Sequence, residues 1–203
     1  MRRPTRVRRL TRARGLTLYA RSRRVPASLA AVVISAVGVW ALARGGGGGP
    51  VDPRLPVLVL AAGVMAASIG LGGQDLALDR TAAIRWTARR TAHVLLCGTA
   101  VGTVLLTVQV IGDPMAATSF VVRDCAGLMG LAGLGATAAG GRYAWTPPFA
   151  WLSLAFFAPP PASAPARVAS WLLLPPGTAA ATWTASVLAV VGTAAYAVAG
   201  PRR

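Results

Sequence analysis

Long apolar runs separated by short polar segments dominate the chain from residue 26 onward. The runs are continuous and rich in Ala, Leu and Val, without the alternation over about ten residues that marks a strand of a membrane β-barrel. An apolar run of roughly 18 residues or more is long enough to cross a bilayer as a helix. The pattern therefore predicts an all-α fold, a polytopic integral membrane helical bundle with about six transmembrane helices.

Breaks rich in Gly and Pro separate the predicted spans. Five glycines and three prolines predict an irregular loop over 44–56, and Gly112-Asp113-Pro114 predicts a tight turn. A Pro-rich stretch and a short interfacial helix over 166–174 precede the last span. The six predicted spans, which together form a transmembrane domain over 26–200, are 26–43, 57–72, 91–111, 117–139, 143–158 and 179–199. Pro147-Pro148 interrupts the fifth, so a re-entrant segment at 143–158 is the alternative there.

The distribution of positive charge predicts the orientation. All 21 basic residues are Arg; with the N-terminus inside, 17 of them fall on the inner side, three in outer loops, and Arg123 within a span. Arginines of short loops are concentrated on the cytoplasmic side of membrane proteins. This asymmetry favours six spans with both the N- and C-termini cytoplasmic, in a cytoplasmic (inner) membrane.

The first 24 residues contain ten arginines, which predict a cytoplasmic Arg-rich tail or elbow helix over 1–25. Such a segment beside a membrane helix attracts anionic lipid, at about 1 kcal/mol per basic residue near the surface. Nucleic-acid binding is the alternative, and the position directly before a hydrophobic span argues against it. A cleaved twin-arginine signal ending at Ala41-Leu42-Ala43 is a further alternative, which the several later spans disfavour.

Composition argues against catalysis by this chain. It has no Lys, so neither a Walker A loop nor a Schiff-base lysine is available. Cys97 and Cys125 lie in different spans without C-x-x-C spacing, and His93 is the only His, so no metal site is predicted. Ser68 has only His93 as a conceivable base. We therefore expect no catalytic residues, no metal and no cofactor bound by this chain.

The longest polar interruption, over 74–90, is cytoplasmic in this topology. Asp79 can cap a helix that begins at Arg80, and Arg85 and Arg89 then lie one turn apart. Trp86 would offer an apolar docking surface on the same helix. The alternative is an ordinary positively charged inner loop without a partner.

The six-span topology, the basic elbow and the charged helix between spans two and three resemble the ABC-2 type permease subunits of ABC exporters. The resemblance implies that the loop is a coupling helix that docks on a separate ATPase subunit. ATP-Mg would be bound by that partner, and a second permease chain would complete a homo- or hetero-oligomer. The glutamates usual in such a helix are absent from this sequence. The residues implied to bind the partner are Asp75, Asp79, Arg80, Arg85, Trp86, Arg89 and Arg90.

Three polar residues within the predicted spans are candidate functional positions. Arg123 and Asp124 lie several residues inside span four, where adjacent positions on a helix point about 100° apart and would pair imperfectly. One interpretation is a buried polar contact in a substrate path or a subunit seam. The other is that span four begins near Asp124, with Arg123 at the outer interface. His93, near the inner end of span three, is interpreted as a packing or interfacial residue.

Small residues follow this pair in span four. Gly127, Gly130 and Gly133 would let another helix approach closely, within the bundle or in a dimer. The leading functional hypothesis is a permease subunit that couples ATP hydrolysis on a partner to export. The competing hypothesis is a non-transporting membrane scaffold or accessory subunit. No substrate is indicated by the sequence.

Overall fold

The structure is a computed structural model that describes residue 37 and the ranges 52–72, 86–111, 116–158 and 160–202. Every regular element in these ranges is helical, and none of them contains a strand. The predicted all-α class is therefore confirmed for the described part of the chain. The tail 1–25 and the span 26–43 lie outside it, apart from the helical Val37.

Six α-helices and three short 3-10 turns make up the described ranges. The α-helices are α1 (Arg54–Ser68), α2 (Trp86–Ile111), α3 (Thr118–Ala138), α4 (Thr146–Phe157), α5 (Ala164–Ala169) and α6 (Ala179–Ala199). The 3-10 turns are Ile69–Leu71, Gly141–Tyr143 and Trp171–Leu173. Four helices, namely α1 with its 3-10 extension, α2, α3 and α6, are long and apolar enough to cross a membrane, which indicates a membrane protein.

Helix α1 begins at Arg54, which lies within the loop predicted over 44–56. Asp52 Oδ1, one residue before the N-cap Pro53, accepts a hydrogen bond from the Arg54 backbone N–H at 2.9 Å. Pro56 was expected to lie in the loop, but it occupies this first turn of α1. A proline is tolerated there, because the first backbone N–H groups of a helix have no partner within the helix.

Contacts at one end of the bundle join the start of α2 to the ends of α3 and α6. The Arg90 guanidinium carbon lies 2.6 Å from the position that a Cβ on Gly200 would take. The Arg202 side chain donates a hydrogen bond to the Ala138 carbonyl at 3.2 Å. The Tyr196 hydroxyl donates to a carbonyl in the 3-10 extension of α1, so that helix also ends here. We call this the Arg90 end.

The opposite end, which we call the Arg123 end, holds the other helix termini. The Ala116 backbone N–H, just before α3, donates to Gln109 Oε1 near the end of α2 at 2.7 Å. Arg54, the first residue of α1, lies over the ring of Phe156 near the end of α4, with 5.8 Å between guanidinium carbon and ring centroid. Successive helices therefore alternate between the two ends, as a chain that repeatedly crosses a membrane requires.

Helix α4 differs from the predicted span 143–158. Its 12 residues extend about 18 Å, which is short of the roughly 30 Å hydrocarbon core of a bilayer. Pro147 and Pro148 confine it to a start at Thr146, and extended backbone at Ala158 ends it before the next prolines. It still connects the two ends, because Pro147 packs near Gly135 of α3 while its last turn reaches the start of α1. The number of six spans remains a prediction.

Candidate functional site

The buried pair Arg123 and Asp124 is the candidate site that the structure defines best. Arg123 is the sixth residue of α3, about 8 Å along the helix. Its side chain is 7% exposed and that of Asp124 is 0% exposed. The helix therefore begins at Thr118, before the pair, and both side chains are buried within the bundle. The depth of the pair in the membrane stays a prediction.

The two side chains pair more closely than their helix positions suggested. Arg123 Nε donates to Asp124 Oδ1 at 2.7 Å, although adjacent residues on a helix point in different directions. The expectation that Arg123 and Asp124 would pair imperfectly is therefore wrong for this hydrogen bond. The long arginine side chain turns back along the helix surface, so that its Nε, rather than the tip of the guanidinium, meets the carboxylate.

Turning back in this way leaves the tip of Arg123 free to bind the segment that precedes α6. Its two terminal nitrogens donate to three backbone carbonyls, at 3.4 Å, 2.9 Å and 3.1 Å, which belong to Trp171, Leu174 and Pro175. The guanidinium also lies over the Phe120 ring, 5.0 Å from its centroid. One buried cation thus ties α3 to a turn about 50 residues later in the chain.

The indole of Trp171 secures the same segment. It is fully buried and packs against Gly127, where an added Cβ would collide with the ring. The indole N–H of Trp151 in α4 donates to the Ala169 carbonyl at 3.1 Å. The stretch 164–175 is therefore seated on the Arg123 end of the bundle as a fixed cover.

Two buried polar atoms at this cover have no hydrogen-bond partner among the described residues. They are Asp124 Oδ2 and Trp171 Nε1. Around them lie Arg123, backbone carbonyls and apolar side chains. The arrangement can hold charge and anchor a segment.

The structure does not bring His93 to this pair. His93 Nε2 lies 3.2 Å from the Gly70 carbonyl and 3.8 Å from Cys97 Sγ, near the Arg90 end. The contact with Gly70 joins α2 to the end of α1. In the described part of the chain, no group of three or more His, Cys, Asp and Glu could hold a metal ion.

The predicted small-residue positions of α3 face the last helix. A Cβ on Gly130 would collide with the Leu188 carbonyl of α6, and one on Gly133 would lie 2.7 Å from the Gly192 carbonyl. A Cβ on Gly192 would in turn collide with Gly130. The two backbones are therefore in direct contact, which only glycine permits at these positions. These glycines form the close contact between α3 and α6 within this chain, which we call the α3–α6 seam.

The implied coupling residues are only partly described. Asp75, Asp79, Arg80 and Arg85 lie outside the described residues. Trp86, Arg89 and Arg90 form the first described turn of α2, which runs on without a break to Ile111. Span three was predicted to begin at 91, and the helix includes at least five residues before that. Arg89 lies over the Trp86 ring, with 5.8 Å between guanidinium carbon and centroid.

An apolar groove of about 370 Å³ lies between α2, α3 and α6. Its floor includes Gly98 and Gly102 of α2 and Cys125 of α3, whose thiol donates to the Gly98 carbonyl at 3.1 Å. Exposed Leu95 and Val122 stand at its rim. A groove of this composition is suited to lipid chains or apolar side chains.

The partners of Arg123 were not found from the sequence. Trp171, Leu174 and Pro175 contribute backbone carbonyls, which carry no residue-specific signal. The one available indication was the Pro-Pro pair, because prolines free nearby carbonyls from helical hydrogen bonds.

No protein-family model, curated protein or solved structure matches this chain. The resemblance to ABC-2 permeases therefore rests on the predicted order of spans and loops.

Proposed function

We propose that this chain is the membrane subunit of a larger complex, specifically the permease subunit of an ABC-type exporter in the cytoplasmic membrane. ATP hydrolysis on a separate partner would drive translocation, and a second permease chain would complete the path. The observation that carries the proposal is the continuity of the basic segment Trp86–Arg90 with the 26-residue helix α2.

The placement of α2 supports transmission of a partner's movement. Only 22% of its most apolar 18-residue stretch is buried, against 72% for α3, so α2 lies at the edge of the described bundle. A push on Trp86 and Arg89 would move a continuous helix that can tilt without opening the α3–α6 seam. On the opposite end, Arg123 would hold the cover in place while α2 moves.

The competing proposal is a non-transporting scaffold or accessory subunit. It is favoured by the close contact of α3 with α6 and by the apolar lining of the groove, since neither offers a polar passage in the described ranges. The exposed face of α2, which includes Leu95 and Leu96, would then pack on another membrane protein.

Affinity purification in mild detergent, followed by mass spectrometry, separates the two proposals. An exporter predicts stoichiometric recovery of a soluble protein with Walker motifs. Replacing Trp86 and Arg89 together by Ala should abolish that recovery, whereas replacing Arg54 and Arg167, at the other end, should leave it intact. Recovery of membrane proteins alone, unaffected by the Trp86 and Arg89 replacement, would support the scaffold and exclude the exporter.

A further inference from the structure

A second feature of the Arg90 end is a cluster of four arginines, Arg89, Arg90, Arg142 and Arg202. Three of them are exposed and Arg90 is half-buried against Gly200. They come from the start of α2, the turn after α3 and the residues after α6, and the alternating course of the helices brings them to one end.

No carboxylate among the described residues neutralises this cluster. The described acids are Asp52 and Asp124, and both belong to the Arg123 end, where Asp52 accepts from the Arg54 N–H and Asp124 pairs with Arg123. The arginines of the cluster therefore face a surface without a described negative side chain.

Helix dipoles neutralise only a small part of the charge. Each helix terminus is equivalent to roughly half an elementary charge, negative at the carboxyl end. Three carboxyl ends, of α1, α3 and α6, and two amino ends, of α2 and α4, meet here, so their sum is about −0.5 against four positive side chains. Counted over the described residues, a positive excess of about 3.5 charges remains.

Aromatic rings accompany two of the three exposed arginines. Arg89 lies over Trp86, and Arg142 lies over Tyr143 with 5.7 Å between guanidinium carbon and ring centroid. Exposed Trp145 is nearby and packs edge-to-face on Phe149 at 5.9 Å. Trp and Tyr are typical of the headgroup level of a membrane, where arginine can reach lipid phosphates.

We infer that the Arg90 end is a binding site for the phosphate-bearing headgroups of anionic phospholipids, held chiefly by Arg89 and Arg142. Arg90 and Arg202 also brace the bundle through Gly200 and Ala138, so Arg89 and Arg142 supply the exchangeable contacts. The site belongs to the isolated chain and does not depend on the exporter proposal.

The test uses the full-length protein in neutral detergent and measures its melting temperature against added phosphatidylglycerol. A lipid that binds only the folded bundle raises the melting temperature. Phosphatidylcholine with the same acyl chains and inorganic phosphate are the two comparison ligands. The charge-removing double variant Arg89→Gln/Arg142→Gln is compared with Arg54→Gln/Arg167→Gln, which removes two exposed arginines from the opposite end.

We expect phosphatidylglycerol to stabilise the wild type and the Arg54/Arg167 variant far more than either comparison ligand does. One arginine at a lipid surface contributes about 1 kcal/mol, or roughly a five-fold change in affinity. The Arg89/Arg142 variant should therefore need about 25-fold more phosphatidylglycerol for the same shift. The variant Arg89→Lys/Arg142→Lys should retain most of the response, which shows that the loss follows charge and does not come from a disturbed fold.

Three results would overturn the inference. Equal responses of the two Gln variants to phosphatidylglycerol would mean that the attraction of anionic lipid is spread over the chain, including the tail 1–25. A similar shift with inorganic phosphate would identify a site for a soluble anion. A response of the Arg89/Arg142 variant equal to that of the wild type would place the lipid contact elsewhere.

Discussion

Arg123 illustrates how a charged side chain becomes tolerable inside a membrane helix. A lone charge at the centre of a bilayer costs about 2.5–3.5 kcal/mol on insertion scales. Here Nε of the guanidinium donates to Asp124, and its terminal nitrogens donate to three backbone carbonyls of the segment that precedes α6. The residue pairs with a carboxylate and holds a turn of backbone at the same time, so its loss affects both.

The first prediction concerns this pair. Arg123→Gln should lower the free energy of unfolding by about 3–5 kcal/mol, because removing one partner leaves a buried charge uncompensated. Denaturation in mixed micelles measures this loss. The double variant Arg123→Gln/Asp124→Asn should recover part of it, since no charge is then buried unpaired. A double variant as unstable as the single one would show that the three carbonyl contacts, and not the charge, dominate.

At the scale of elements, α3 and α6 depend on glycine for their contact. In lipid the apolar surfaces of helices gain little from burial, so close packing of the backbones becomes a main source of association. Gly130 and Gly192 place the two backbones against each other. Any side chain at these two positions has to push the helices apart, because the colliding atoms are backbone atoms and cannot rotate away.

The second prediction compares two identical substitutions. Gly130→Ala should destabilise the bundle by about 1–3 kcal/mol, the usual cost of overpacking. Gly102→Ala, in α2, should be neutral or stabilise by up to about 1 kcal/mol, because its Cβ would lie 3.9 Å from Cys125 Sγ and alanine has the higher helix propensity. Denaturation in mixed micelles again measures both. Equal effects of the two variants would contradict the proposed seam.

At the scale of the whole molecule, the helices place their termini at two distinct ends. The Arg90 end gathers the arginine cluster, and the Arg123 end carries the cover 164–175. The excess of arginine predicted for the inner side of the membrane makes the Arg90 end the expected cytoplasmic surface. The short helix α4 preserves the alternation although it does not have the length of a full span.

The third prediction is a map of sidedness. Single cysteines at positions 142 and 202, in a background without Cys97 and Cys125, should react with a membrane-impermeant maleimide only after the membrane is opened. Cysteines at 54 and 167 should react in intact cells. The two sets belong to opposite ends of the bundle, so labelling of position 142 together with position 167 from one side would contradict the alternating topology.

Local signals in the sequence determined the membrane character and most helix limits. An apolar run of sufficient length forms a helix in a bilayer whatever packs beside it, since its backbone groups must be paired internally. The run 179–199 was predicted as a span and forms α6 over the same residues. The break at Gly140 followed from glycine in the same way, whereas the single short helix predicted over 166–174 is divided into α5 (Ala164–Ala169) and the 3-10 turn Trp171–Leu173.

Only the tertiary structure decided where the long-range contacts lie. The carbonyl partners of Arg123 are 48 to 52 residues away, and backbone carbonyls look alike in every sequence. The glycines of α3 predicted a closely packed helix. Whether that helix belongs to the same chain or to a second copy of the protein depended on the position of Gly192. These contacts depend on how helices meet in three dimensions, and the periodicity of a single helix contains no information about its neighbour.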